Sequence, residues 1–134
     1  MLLHNKFKLE FLGDSIIRIT PKLDVDLEVE DVKEMREMLV RLSKGNKYCV
    51  LLDATERFNV SADARALIAG KEFSFDRIAT AFIITSLANM LVGNFFIKVN
   101  KPYTPTKIFS SEENALSWLK SEVKKVNDRI FIQQ

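Results

Sequence analysis

Two aspartates and a serine form the clearest opportunity for chemistry in this chain. Asp53 ends the apolar stretch Tyr48–Asp53, and Ser61 and Asp63 follow it closely. Two carboxylates near a strand end could act as an acid/base pair or bind a hard cation. The same aspartates also fit structural roles, because aspartate stabilises loops and the first turn of a helix. We favour the structural roles, so the sequence predicts no metal site and no cofactor.

Ser61 is a candidate phosphate acceptor because it precedes a short helical pattern that contains Ala64 and Leu67. The free N–H groups and the dipole at a helix N-terminus stabilise a phosphate. An N-cap serine needs no phosphate, however, because its hydroxyl already accepts a hydrogen bond from the first turn. The sequence is compatible with both roles, of which the N-cap is the simpler.

The cysteine and histidine content argues against an enzyme. Cys49 is the one cysteine and His4 the one histidine, which excludes an internal disulfide and any multi-cysteine or His-rich metal site. Cys49 lies inside an apolar stretch, where a thiol is buried and inert. The chain also lacks a Gly-rich phosphate loop. With no activated nucleophile either, we predict that it is not an enzyme.

Four phenylalanines are candidates for an apolar binding surface. Phe73 and Phe75 precede a predicted strand, and Phe95 and Phe96 lie on a strongly apolar helix. Core packing is the leading explanation. The alternatives are a homodimer face, where aromatic residues are enriched, and a pocket for an apolar small ligand or lipid between helix and sheet.

The composition is that of an ordinary globular protein. The chain has 134 residues, of which 47% are apolar and 28% charged, and its net charge is +2. A chain of this size can bury about two-thirds of its unfolded surface, so we expect a single domain over residues 1–134. The charge balance gives no case for a nucleic-acid partner. The start lacks a signal-peptide pattern, and we expect a cytoplasmic location.

One uncharged segment, Ile78–Ile97, is long enough to cross a membrane. Polar residues interrupt it, and its first half is rich in β-branched residues, which suit a strand. Thr85 and Ser86 then mark a strand end and a helix cap. We therefore predict a strand followed by a buried helix, and no integral membrane segment.

Hydrophobic periodicity predicts an α/β fold with one mixed sheet. Phe7–Leu12 and Ser15–Thr20 alternate in polarity and form a predicted N-terminal hairpin. Helices then alternate with buried-looking strands, which are expected at Tyr48–Asp53, Ile78–Ile84 and Thr106–Phe109. Helices are predicted at about 28–43, after Ser61, from Ser86 to about Val99, and after Ser110.

Two stretches resemble the STAS-like family, which includes the SpoIIAA-like anti-sigma-factor antagonists. Val50–Thr55 is similar to the central strand that leads into the family's phosphorylation loop. Ile108–Leu119 is similar to the closing strand and helix, with a Phe, an acidic cap, an Ala and a Trp-Leu pair. The element order matches over nearly the whole chain.

The resemblance implies a non-catalytic regulatory or protein-interaction module in a bacterial-type cytoplasm. Such a module would present residues 53–65 to a protein partner, with Ser61 or Asp63 near the place of the family's phosphorylated serine. The family's paired serines and glycine are absent here, since the region reads Asn59-Val60-Ser61-Ala62-Asp63. The alternative function is binding of an apolar ligand or lipid between the sheet and the 86–99 helix.

Overall fold

The computed structural model describes residues 1–133, with side chains described through residue 129. Its strands are β1 (Leu2–Leu3), β2 (Phe7–Gly13), β3 (Ile16–Pro21), β4 (Asp26–Leu27), β5 (Tyr48–Asp53), β6 (Asn59–Val60), β7 (Arg77–Ile83) and β8 (Thr106–Phe109). Its α-helices are α1 (Val29–Leu42), α2 (Ala62–Ala69), α3 (Lys71–Ser74), α4 (Leu87–Phe95) and α5 (Glu112–Gln133). A π-helical turn, Phe96–Asn100, continues α4.

The larger sheet has six strands in the order β1-β2-β3-β5-β7-β8. Strands β1, β2 and β3 pair antiparallel, whereas the pairs β3–β5, β5–β7 and β7–β8 are parallel. A small second sheet pairs β4 with β6. The predicted mixed sheet with an N-terminal hairpin is therefore confirmed, while the short strands β1, β4 and β6 were not predicted.

Helices cover both faces of the larger sheet, as its continuous apolar strands require. On one face, Ala115 and Leu119 of α5 pack on Cys49, Leu51 and Ala81. The opposite face forms two apolar clusters, one with α1 and one with α4 and the end of α2. The middle strands β5 and β7 are consequently enclosed from two sides.

An irregularity in β7 changes which face one of its residues occupies. Tyr48 pairs with Arg77, but Val50 pairs with Thr80, so β7 carries one extra residue between these pairs. Such a β-bulge interrupts the strict alternation of side chains. Ile78 and Ala79 both pack towards α5, and Arg77 shares the opposite face with Thr80.

At Gly93, helix α4 packs against the sheet at a distance that leaves no room for a side chain. A Cβ atom there would come within 2.9 Å of Ile84 Cδ1 and 3.1 Å of Ile108 Cδ1. The uncharged segment 78–97 is divided between β7, α4 and the start of the π-turn. Within the described residues, no helix is both long and apolar enough to cross a membrane.

The helix caps largely follow the sequence predictions. Ser61 and Ser86 cap α2 and α4 by accepting from the amides of Ala64 and Asn89. The start of α5 differs by one residue, because Ser111 rather than Ser110 accepts from Asn114 N at 3.2 Å.

We predict that Leu119→Ala lowers the free energy of unfolding by about 3 kcal/mol, because it opens a cavity where α5 packs on the sheet. Leu119 is fully buried, so the site cannot refill with water at low cost. Urea unfolding followed by circular dichroism measures the change. Lys120→Ala, at the exposed neighbouring position, is the control. Equal stability of the two variants would contradict the assigned packing.

Candidate functional site

Asp53, the first candidate residue, is held by a network of hydrogen bonds at the end of β5. Arg18 Nη2 donates to Asp53 Oδ2 at 2.7 Å, and the backbone and hydroxyl of Thr55 donate to Oδ1 at 3.1 and 2.6 Å. Arg18 also pairs with Glu112 at the start of α5. Both oxygens of Asp53 are therefore engaged in joining β3, β5 and the following loop.

These contacts set the protonation behaviour of Asp53. Burial raises the pKa of the carboxyl group, but the hydrogen bonds from Thr55 and Arg18 outweigh burial, and the pKa lies below its ordinary value. A carboxylate with a lowered pKa is a weak general base at neutral pH. The contacts of Asp53 therefore connect β5 to the following loop and, through Arg18, to β3 and the start of α5.

Ser61 and Asp63 lie at the start of α2. The Ser61 hydroxyl accepts from Ala64 N at 3.2 Å, and the Ser61 amide donates to Leu27 O at 3.0 Å. Asp63 is exposed in the first turn. Ser61 is half-buried, with its hydroxyl acting as an N-cap.

The segment after β5 is tied to α4. The side-chain amide of Asn89 donates to the carbonyl oxygens of Ala54 and Glu56 at 2.7 and 3.0 Å. Arg65 of α2 lies over the ring of Phe95, 5.6 Å from its centroid. Residues 53–65 and α4 therefore form one continuous region of the molecule.

A cavity of about 210 Å³ lies between the sheet and helices α1, α2 and α4. Val50, Leu52 and Phe82 of the sheet line it, together with Ile84 directly after β7, and the helices and π-turn contribute Met35, Ile68, Val92 and Phe96. Its lining is largely apolar. A cavity of about 150 Å³ with apolar walls already accommodates benzene, so this one has room for a somewhat larger molecule.

Three arginines interrupt the apolar lining: Arg36, Arg65 and Arg77. Arg36 Nη2 pairs with Asp76 at 3.0 Å. Arg77 is only 9% exposed, and its one hydrogen bond runs from Nη2 to Ile68 O at 2.8 Å. Burial lowers the pKa of Arg77, while Tyr48 opposes this change. Among the side chains of residues 1–129, no carboxylate forms a salt bridge with Arg77.

Three side-chain atoms without hydrogen-bond partners belong to residues that line this cavity. They are Arg65 Nε, Arg77 Nε and Thr80 Oγ1. Buried polar atoms nearly always have a partner; the other buried side-chain atoms of the described residues without one, Thr20 Oγ1, Asn100 Oδ1 and Thr104 Oγ1, belong to residues outside the cavity lining. These arginines were not predicted from the sequence, because the β7 bulge that places Arg77 in the lining has no clear local signature.

The four candidate phenylalanines separate into two groups. Phe73 and Phe96 line the cavity, and Phe96 also packs against Phe82. Phe75 is 60% exposed and Phe95 is 48% exposed. The structure therefore brings one pair to the cavity and leaves the other pair at the surface.

The helix predicted to be buried is exposed along one side: α4 and its π-turn present an apolar surface, which we call the α4 stripe. Leu87, Leu91, Val92, Phe95 and Val99 recur at helical spacing and remain about half or more exposed. An exposed apolar patch of this kind marks an interaction surface more often than scattered single residues do.

A possible metal site and a possible cysteine nucleophile both have structural explanations. The one cluster of three metal-type side chains in the described part of the chain is His4, Asp31 and Glu34. Asp31 already accepts from Lys6 Nζ and from the Glu28 amide, and His4 contacts Glu34. Cys49 is fully buried, and burial raises the pKa of its thiol to about 12, so thiolate chemistry is suppressed.

Comparisons with known proteins support the fold. The family described as "Domain of unknown function (DUF7793)" matches residues 9–123, whereas no curated protein matches the chain. An uncharacterized protein of the DUF3478 family with a SpoIIAA-like fold, from Shewanella loihica PV-4, has a TM-score of 0.60 at 19% identity, covering 89% of this chain and 98% of its own.

The unphosphorylated anti-sigma factor antagonist SpoIIAA has a TM-score of 0.51 at 18% identity, covering 85% of this chain and 97% of its own. The SpoIIAA-like fold expected from the sequence resemblance is confirmed. At these identities the likeness concerns the fold alone.

We predict that Asp53→Asn lowers the free energy of unfolding at pH 7 by about 2 kcal/mol, because charge-assisted hydrogen bonds are lost. The lowered pKa of Asp53 stabilises the wild type above the ordinary carboxyl pKa of about 3.9, and this contribution disappears as the pH falls through the lowered value. The variant should therefore lose less stability on acidification, as measured by urea unfolding from pH 7 to pH 2.

Asp63→Asn, which also removes one negative charge near the same segment, is the control for the change in net charge. The assigned role of Asp53 would be contradicted if Asp53→Asn were as stable as the wild type at pH 7.

Proposed function

Because this chain belongs to the DUF7793 family and has a SpoIIAA-like fold, we propose that it is a non-catalytic regulatory module that docks a protein partner. The partner binds the α4 stripe together with the adjoining segment 53–65. The observation that carries this proposal is the α4 stripe itself, in which Leu87 is 77% and Leu91 64% exposed.

The charge around the stripe favours a partner with an acidic rim. Residues 87–111 contain Lys98, Lys101 and Lys107 but no acidic residue. Each of these lysines is exposed, and Arg65 lies against Phe95 at the edge of the stripe. Complementary charge accelerates association and orients a partner. The occupant we propose is therefore a protein surface with an apolar centre and flanking carboxylates.

The segment 53–65 contains the residue at which we expect docking to be regulated. Asn89 ties this segment to α4, so a change at Ser61 acts beside the docking surface. We propose that phosphorylation of Ser61 modulates docking, since a phosphate at the start of α2 meets free N–H groups and adds negative charge next to a basic rim.

A second candidate function is the binding of a small apolar ligand in the cavity beneath α4. The observation that favours it is the cavity of about 210 Å³ with its apolar lining. Val92 belongs both to this lining and to the α4 stripe, so a ligand and a docked partner would contact the same helix.

We predict that Leu91→Asp weakens binding of the partner at least about tenfold, because a carboxylate is placed in the apolar centre of the interface. Chemical crosslinking identifies the partner, and titration calorimetry with the purified partner measures affinity. Leu23→Asp introduces the same change at a 57% exposed loop position outside the stripe and should bind as the wild type does.

Other occupants of the stripe give different results. Self-association in light scattering that Leu91→Asp abolishes would replace the protein partner with a second copy. Binding to vesicles that contain anionic lipids, lost in the same variant, would replace it with a membrane surface. Equal partner affinity of Leu91→Asp and Leu23→Asp would contradict docking at the stripe.

Native mass spectrometry of the protein from its own cells should find a phosphate that survives denaturation and maps to Ser61. Ser86 caps α4 in the same way and serves as the internal comparison, because general modification of N-cap serines would label both. An unmodified Ser61 under every growth condition would contradict the phosphorylation. A non-covalent mass that is released on denaturation would support the second candidate.

A further inference from the structure

Arg77 is the most buried of the three arginines that line the cavity, and no carboxylate among the described side chains pairs with it. Arg18 pairs with Asp53 and Glu112, and Arg36 pairs with Asp76. Arg77 is more buried than either and donates only to the carbonyl oxygen of Ile68. A buried charge without a counter-ion is costly, and proteins normally avoid it by pairing.

The local geometry places Arg77 in the lining of the cavity. The extra residue between Arg77 and Thr80 in β7 places both on the face that lines the cavity. Without it, regular alternation would direct residue 77 towards α5, together with Ala79 and Ala81. Bulges of this kind frequently redirect a side chain to a binding site.

Arg77 and Thr80 are polar residues of a largely apolar cavity lining, and both belong to the same face of β7. Arg77 Nε and Thr80 Oγ1 both lack partners. A guanidinium offers parallel N–H donors that match a carboxylate, and a hydroxyl can donate to the same group. The remaining lining, including Leu52, Ile68 and Phe82, suits an apolar body.

We propose that the cavity binds a monocarboxylate with an apolar body, whose carboxylate accepts hydrogen bonds from Arg77 and Thr80. This proposal rests on the second candidate function and names its ligand class. One negative charge neutralises the guanidinium of Arg77. Arg65 also lines the cavity without an acidic partner among the described side chains, but it donates to Val60 O at 2.6 Å and lies over the ring of Phe95, so we assign the anion to Arg77. The cavity volume limits the ligand to on the order of ten non-hydrogen atoms.

Titration calorimetry with octanoate, 3-phenylpropanoate and 1-octanol tests the proposal on the full chain. We expect octanoate or 3-phenylpropanoate to bind with one-to-one stoichiometry and at least about tenfold more tightly than 1-octanol, since a charge-assisted pair is worth a factor of this size. The comparison of the two acids distinguishes an aliphatic from an aromatic source of the ligand.

Variants locate the anion subsite. Arg77→Met keeps an apolar side chain of similar length and should reduce the preference for the acid over 1-octanol to less than about twofold. Arg41→Met, the same change at an exposed position of α1, should retain the wild-type preference. Thr80→Val, which is nearly isosteric, should weaken octanoate several-fold without affecting 1-octanol, and it supplies the test if Arg77→Met does not fold.

The outcomes separate the two levels of the proposal. Equal binding of octanoate and 1-octanol would overturn the carboxylate subsite and leave an apolar ligand site. No binding of any of the three probes at millimolar concentration would overturn both. A wild-type acid preference in Arg77→Met, or in Thr80→Val if Arg77→Met does not fold, would place the anion elsewhere and overturn the assignment.

Discussion

The constraint on which this structure depends is the burial of β5 and β7 from both faces. Their apolar runs cannot leave either face in water, so helices must cover both. α5 covers one face with small and aliphatic side chains such as Ala115 and Leu119. On the other face, Gly93 lets α4 approach within contact of Ile84 and Ile108. This second face also holds the cavity between the sheet and helices α1, α2 and α4.

Helix α4 connects the two regions to which we assign function. Its inner side, with Gly93 and Phe96, borders the cavity, and its outer side carries Leu91 and Phe95 in the α4 stripe. The π-turn widens the end of the helix before Lys101 terminates it in the left-handed conformation. Such π-helical turns occur frequently at functional sites. The arginine-bearing cavity and the docking surface are therefore two sides of one element.

Much of the architecture could be predicted because local patterns and tertiary contacts agree. The alternation in Phe7–Leu12 anticipated β2, and Thr106–Phe109 is β8 with the same bounds. Ser61 and Ser86 cap the helices that they were expected to begin. Short strands such as β4 and β6 escaped prediction because two residues carry no periodicity. Their pairing exists only because the chain after β5 returns beside the chain before α1.

The sequence by itself determined the fold class, the exclusion of multi-cysteine and His-rich sites, and the candidates Asp53, Ser61 and Asp63. Those conclusions depend on residue type and periodicity, which are local properties. Only the tertiary structure decided that Asp53 is engaged by Arg18 and Thr55. It alone also decided that Arg77 faces a cavity without an acidic partner. The physical reason is that one extra residue in β7 reverses the direction of a side chain, and strand register is visible only when the strands are paired.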